Sequence, residues 1–211
     1  MPRLSTVLLI ARLSLVPTTL ATPAVAADQG AGSPTAPASP SPAPMISAPM
    51  TQDHIKDLFF DAARQGRNDL IGGLIDSGMK PDERDSHGYT ALIIAAYNGQ
   101  VTTVNLLIDK GADPCAKDPK GNSSLMGVSF KGETAIAERL IEARCDVNAR
   151  NDAGQTALMM ASLFGRTDVV KLLLSHGAST EIKDNSGNTA ASLARQQANP
   201  QMIALLGQHA P

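Results

Sequence analysis

Four histidines, two cysteines, a knot of acidic residues and a pair of serines are the side chains of this sequence with the means to do chemistry. The histidines are His54, His87, His176 and His209. A zinc site would need several such groups on one ion with bonds of about 2 Å. The cysteines are Cys115 and Cys145. A bridge between them would close a loop of about 30 residues and add several kcal/mol, and it demands Cα atoms within about 7 Å. Ser123-Ser124 lacks the Gly-x-Ser-x-Gly frame of a nucleophile elbow. Gly72-Gly73 sits in a helical run without the strand–turn–helix setting and following lysine of a phosphate loop. Asp82, Glu83 and Asp85 enclose Arg84 and read as a solvated loop rather than a calcium site. No nucleophile stands beside a base. The expectation is a protein that is not an enzyme, with no catalytic residues, no metal and no cofactor.

The 211 residues of the chain carry 18 basic and 20 acidic side chains, a net charge of −2. The first 26 residues hold two of the bases, Arg3 and Arg12, and no acid, so without them 16 bases face 20 acids and the charge is −4. Phosphate binding needs a clustered positive surface, and none is present, which argues against nucleic acid as the ligand. There is no tryptophan, and the other aromatics are Phe59, Phe60, Tyr89, Tyr97, Phe130 and Phe164. The core must come from Leu, Ile, Val, Met and Ala, which suits thin layers of short helices better than one thick core.

Residues 1–26 read as a secretory signal peptide. Arg3 supplies the positive start, an apolar stretch follows, and Ala24-Val25-Ala26 fits a small-x-small cleavage site after Ala26. Arg12 and Pro17 interrupt the apolar stretch and argue against a retained membrane helix, which needs about 20 continuous apolar residues. A retained anchor and a misplaced start are the alternatives. With no cysteine near the cleavage site, a lipid-modified cysteine there is excluded. Residues 27–50 form a disordered linker in which Pro34, Pro37, Pro40, Pro42, Pro44 and Pro49 alternate with small residues. Such a stretch cannot bury enough surface to offset its ordering entropy.

From residue 51 onward the sequence repeats every 33 positions. Gly88, Gly121, Gly154 and Gly187 form one series, and Gly66, Gly99, Gly132 and Gly165 a second. Thr90, Ser123, Thr156 and Thr189 each precede a short apolar run, where a hydroxyl caps the open amides of a helix. Ala95-Ala96 and Ala161-Ser162 let neighbouring helices approach closely. The second glycine series should end each first helix in a left-handed conformation. Leu106, Leu107, Leu172 and Leu173 face the stack from the second helix. Asn199-Pro200 gives a cap and first residue for a last helix.

These segments (Gly-x-Thr-Ala-Leu, Ala95-Ala96, Leu-Leu-x-x-x-Gly-Ala and Asp146-Val147-Asn148-Ala149) resemble the ankyrin repeat over residues 51–211. The resemblance implies an all-α solenoid in which each unit is a β-turn finger followed by two antiparallel helices. About five units result: nearly complete ones at 86–118, 119–151 and 152–184, between degenerate caps at 51–85 and 185–211. The common Thr-Pro-Leu-His motif is altered. Ala91, Ser124 and Ala157 replace its proline, and Ile93, Met126 and Met159 its histidine. Repeat three departs furthest, with Arg144-Cys145 where its neighbours have Gly-Ala.

In that register His176 and His209 are equivalent positions about 8–10 Å apart, too far to share an ion, and the histidines read as solvated groups near helix ends. Cys145 takes the small-residue position after a second helix, and Cys115 lies three residues past that position in the preceding repeat. Equivalent positions are too far apart to bond, and the offset shortens or lengthens the gap. Two buried or half-buried thiols are the first reading, a bridge the second. The resemblance also implies a protein partner held on the concave face. The contact positions are His87, Tyr89 and Tyr97, then Lys120, Asn122, Phe130 and Lys131, then Asp152, Gln155, Leu163 and Phe164. Aromatics beside basic residues are favoured hot-spot types; the competing reading is that Tyr97, Phe130 and Leu163 only fill space against the next repeat. The implied function is a monomeric protein-binding module of the bacterial periplasm, or a secreted one. The architecture is similar to small exported proteins that support an envelope or oxidative-stress enzyme such as catalase. An inhibitor or immunity protein and a secreted effector are the rival roles.

Overall fold

A hydroxyl placed just ahead of an apolar run determines where each inner helix of this chain begins. In the computed structural model, which describes residues 51–208, the side chains of Thr51, Thr90, Ser123, Thr156 and Thr189 each accept the amide of the residue three further on. Each such cap contributes about 1 kcal/mol. They start α1 (Gln52–Gln65), α3 (Ala91–Tyr97), α5 (Ser124–Lys131), α7 (Ala157–Leu163) and α9 (Ala190–Gln196). Each is followed by an antiparallel partner: α2 (Asn68–Asp76), α4 (Val101–Asp109), α6 (Thr134–Glu142), α8 (Thr167–Ser175) and α10 (Pro200–Gly207). Asn199 caps the last of these, with Pro200 as its first residue. Between the members of these pairs Gly99, Gly132 and Gly165 hold φ of 72°, 90° and 67°, as the left-handed turn requires. The signal peptide and linker expected at 1–26 and 27–50, and His209, lie outside the described residues.

The inner helices α1, α3, α5, α7 and α9 stack in chain order, and α2, α4, α6 and α8 form a second layer behind them. Aliphatic side chains fill the space between: Ile71, Leu92, Leu107, Leu125, Ile136, Leu140, Leu158 and Leu173 are essentially sealed from solvent. Leu106 and Leu172 are half-buried and lean on that core. Of the six aromatics only Phe59 and Phe60 are buried, both in α1. Ala95, Ala96, Ala161 and Ser162 are buried where inner helices meet.

The fingers between helix pairs are tied by two series of contacts, one residue per repeat. Arg84 donates to the carbonyl of Lys117 at 3.0 Å, Lys117 to that of Arg150 at 3.0 Å, and Arg150 to that of Lys183 at 2.9 Å. Two positions earlier, Asp82 accepts the Asp113 amide at 2.8 Å, and Asn148 both accepts the Ser179 amide at 2.8 Å and donates to the Gly177 carbonyl at 3.1 Å. The loop of Asp82, Glu83 and Asp85 is therefore more than solvated surface, since Glu83 also pairs with Lys56 at 2.5 Å. Cys115 occupies the position of Asp82 and Asn148, and its tie to the next repeat is covalent. It is bonded to Cys145, with Cα atoms 5.3 Å apart. This corrects the expectation of two thiols. The three-residue offset shortens the gap, because the middle of each finger loop lies over the start of the same loop in the next repeat.

Arg144 holds φ of 64° where the neighbouring units have Gly111 at 89° and Gly177 at 82°. A left-handed side-chain-bearing residue costs about 1–2 kcal/mol, only partly offset by the chain entropy of glycine. Arg144→Gly is expected to raise stability by about 1 kcal/mol and the melting temperature by about 2–4 °C. A thermal scan that shows no rise would mean that the Arg144 side chain stabilises the turn by as much as its backbone costs.

Candidate protein-binding surface

The finger tips are rigid because one carboxylate or amide in each organises its own turn. Asp85 accepts the amides of His87 and Tyr89, both at 2.9 Å, and Asp118 those of Lys120 and Asn122, both at 2.8 Å. Asn151 accepts the Gln155 amide at 2.8 Å, and Asp184 those of Ser186 and Asn188. Burial pushes the Asp184 carboxyl up. The Asn188 amide and side chain, the Ser186 amide and the Arg150 charge together outweigh that and hold it below its usual range. These turns fix His87, Tyr89, Lys120, Asn122 and Gln155 on one edge of the inner layer. Two of them are partly committed to the stack itself: Asn151 donates to the side-chain oxygens of both Asn122, at 2.8 Å, and Gln155, at 3.1 Å.

Behind the tips the inner helices carry a row of aromatic rings. Tyr97 and Phe130, equivalent positions in successive repeats, stack with centroids 6.3 Å apart and planes within 8°. Phe164 meets Phe130 edge-on at 4.4 Å. Lys131, one repeat before Phe164, holds the matching place over Tyr97, with its ammonium 5.1 Å from the ring centre. The rings pack on one another across repeats, and Leu163 and Phe130 are half-buried, yet Tyr97 stays 47% and Phe164 44% exposed. Among the described residues these two are the large apolar side chains left most open to solvent.

A groove of about 680 Å³ runs between the tips and the inner helices. It gathers His87, Tyr89, Tyr97, Asn122 and Phe130 from among the expected contact residues. Lys131 and Phe164 do not line it, though each touches a ring that does. Lys120, Asp152, Gln155 and Leu163 do not line it. The groove also uses residues that the sequence reading passed over, notably Arg64, Ile94, Gly127 and Met160. The signal for three of them was in the repeat register, since Ile94, Gly127 and Met160 are spaced by 33.

Elsewhere, among the described residues, no three His, Cys, Asp or Glu side chains converge as a metal site would need. His54, His87 and His176 are exposed, and His176 lies against the Leu172 carbonyl at the end of α8, 2.9 Å away. Among the described residues no helix is long and apolar enough to cross a membrane. The hydroxyls of Ser124, Ser129 and Ser162 are buried without a hydrogen-bond partner among the described residues. Ser123, by contrast, caps α5, as expected of it.

A family model of ankyrin repeats in three copies matches residues 52–118 and 125–210. No curated protein matches the chain.

Proposed function

Because the chain belongs to the ankyrin-repeat family, whose repeats are protein-binding modules, we propose that it binds one partner protein along its inner face and acts by binding alone. The contact row is Tyr89, Tyr97, Phe130 and Phe164, with His87, Lys120 and Lys131 beside it. The cross-repeat stack of Tyr97, Phe130 and Phe164, with Tyr97 and Phe164 exposed, carries this reading. In a chain with so few aromatics, rings spent on a solvent-facing groove are missing from the core. Large rigid rings are the side chains that most often dominate binding energy.

The compartment we propose is the bacterial periplasm or the exterior, after removal of residues 1–26. Two features support it. The N-terminal residues have the makeup of an export signal, and the two cysteines are bridged, a state that persists in oxidising compartments. Within that compartment the role is support of an envelope or oxidative-stress enzyme, of which catalase is one example; an inhibitor of a toxin and a secreted effector are the competing roles.

The test is affinity capture by the mature chain from a periplasmic extract, with the captured protein identified by mass spectrometry and then purified for titration. Tyr97→Ala with Phe130→Ala should weaken binding about thirtyfold, or about 2 kcal/mol, and lower the melting temperature by only a few degrees, through the lost ring contacts. Normal binding by the double variant would put the site elsewhere. The captured protein's identity separates the roles: a resident enzyme favours support, and a toxin silenced in the complex favours inhibition.

A further inference from the structure

The Cys115–Cys145 bond faces an open cavity. Both cysteines line a space of about 490 Å³ between the second and third fingers, together with Lys117, Asn148 and Arg150. Cys145 is buried, whereas Cys115 is only half-buried. A thiol can therefore reach the Cys115 sulfur from the cavity while the stack stays folded. Bridges open to solvent are the ones that thiols exchange with, and sealed ones resist.

A broken bond has no polar substitute at this register. The other repeats hold the next finger loop with Asp82, which accepts the Asp113 amide, and with Asn148, which bonds to Ser179 and Gly177. A thiol is a weak donor and a weak acceptor, so here the tie is covalent or absent. Its loss falls on a definite part of the chain. The bond closes a ring, with a sequence separation of 30, that contains α5 and α6. A cross-link restrains only those open states in which the residues of its ring come free. The α5–α6 pair has little in reserve. Arg144 holds φ of 64°, and Ser124 and Ser129 bury hydroxyls with no partner among the described residues. Helix α5 also carries Phe130, the middle ring of the row from Tyr97 to Phe164.

We propose that this bond is a redox latch on the α5–α6 pair, and that a dithiol reductant opens it, loosens the pair and so weakens the hold of the inner face on its partner. The reductant's thiolate attacks the Cys115 sulfur, the S–S bond breaks, and Cys145 leaves as a thiolate that takes up a proton. The reductant's second thiol then attacks the mixed disulfide and frees Cys115 as a thiol. Two electrons and two protons pass to the cysteines, and the dithiol becomes a disulfide. The effect on binding rests on the reading that the inner face holds a protein; the opening of α5 and α6 does not.

The test compares the full chain, oxidised and after dithiothreitol without denaturant, by thiol counting, amide hydrogen exchange and titration with the captured partner. Dithiothreitol should expose two thiols in the folded protein. Amides of α5 and α6 should then exchange at least tenfold faster, while those of α10, which open outside the ring, hold their rates. The partner should bind the reduced protein at least fivefold more weakly. Cys115→Ala with Cys145→Ala should match the reduced protein in exchange and in affinity, and should not respond to dithiothreitol. Thiols that appear only in denaturant, unchanged exchange in α5 and α6, or loss of the whole helical signal on reduction would overturn the latch. Faster exchange with unchanged affinity would overturn its control of the partner. If reduction leaves binding intact while Tyr97→Ala with Phe130→Ala weakens it, the latch falls and the inner-face reading stands. If neither changes binding, both fall.

Discussion

Replacing Cys115 and Cys145 together by alanine should lower the unfolding free energy by about 3–4 kcal/mol. The bridge closes a ring with a sequence separation of 30. In the chain-entropy view such a ring restricts the unfolded state by about that amount at 25 °C. Packing adds little to the loss, because alanine already occupies the register of Cys145 in the neighbouring units, at Ala112 and Ala178, both buried. The ring encloses both α5 and α6, a helix pair with several unfavourable residues of its own. Gly127 interrupts a helix, Ser124 and Ser129 bury hydroxyls that have no partner among the described residues, and Arg144 sits at a φ of 64°. The covalent tie thus offsets local weakness in that repeat. Urea unfolding with and without reductant is the measurement. The reduced wild type should unfold near the double-alanine variant and well below the oxidised protein. A Cys115→Asn, Cys145→Ala pair, which restores the arrangement seen at Asn148, should recover about 1 kcal/mol. Coincident curves for oxidised and reduced protein would mean that the bridge stabilises nothing.

Gly154→Ala should cost about 3 kcal/mol, for a reason that Gly177→Ala isolates. Both glycines have left-handed backbones, with φ of 77° and 82°, so each substitution carries a backbone penalty of about 1 kcal/mol. A Cβ at Gly177 meets nothing within 4 Å. At Gly154 it would lie 2.5 Å from Asn185 Oδ1, 2.6 Å from Arg150 Nη2 and 3.0 Å from the Asn185 backbone nitrogen. These atoms belong to the ties between the third and fourth fingers: Arg150 Nη2 donates to the Lys183 carbonyl, and Asn185 donates to the carbonyls of Ala153 and Asp152. Moving them aside weakens two or three hydrogen bonds of about 1 kcal/mol each. Equal losses for the two variants in denaturant would show that the fingers are not interlocked at Gly154.

The helices and their starts were legible because each repeat states the same local physics again. A hydroxyl just ahead of a short apolar run, at Thr90, Ser123, Thr156 and Thr189, needs no tertiary information to be read as a cap. The aliphatic core followed from the scarcity of aromatics, and the Tyr97–Phe130 row from their shared register. What stayed hidden depends on the distance between successive repeats. Whether Cys115 reaches Cys145 is set by how far one finger loop overlies the next, and no spacing in the sequence encodes that overlap. The ladder of Arg84, Lys117, Arg150 and Lys183 does have a signal, a cation at one register, but charge alone reads as solvated surface. Asn122 and Gln155 read as free contact positions in the sequence, whereas Asn151 donates to both side chains in the fold. Gly127 is the plainest omission. A residue defined by a missing side chain draws no notice until its neighbours, Ile94 and Met160, are set beside it.

The central claim is that the useful part of this molecule is the inner face of its stack. Amide hydrogen exchange on the full chain, alone and in complex with the captured partner, tests it most directly. Slowed exchange should be confined to the finger tips and inner helices, over residues 86–98, 119–131 and 152–164, with the outer helices α4, α6 and α8 unchanged. Protection centred on those outer helices instead, with the inner face left exchanging as in the free protein, would contradict it.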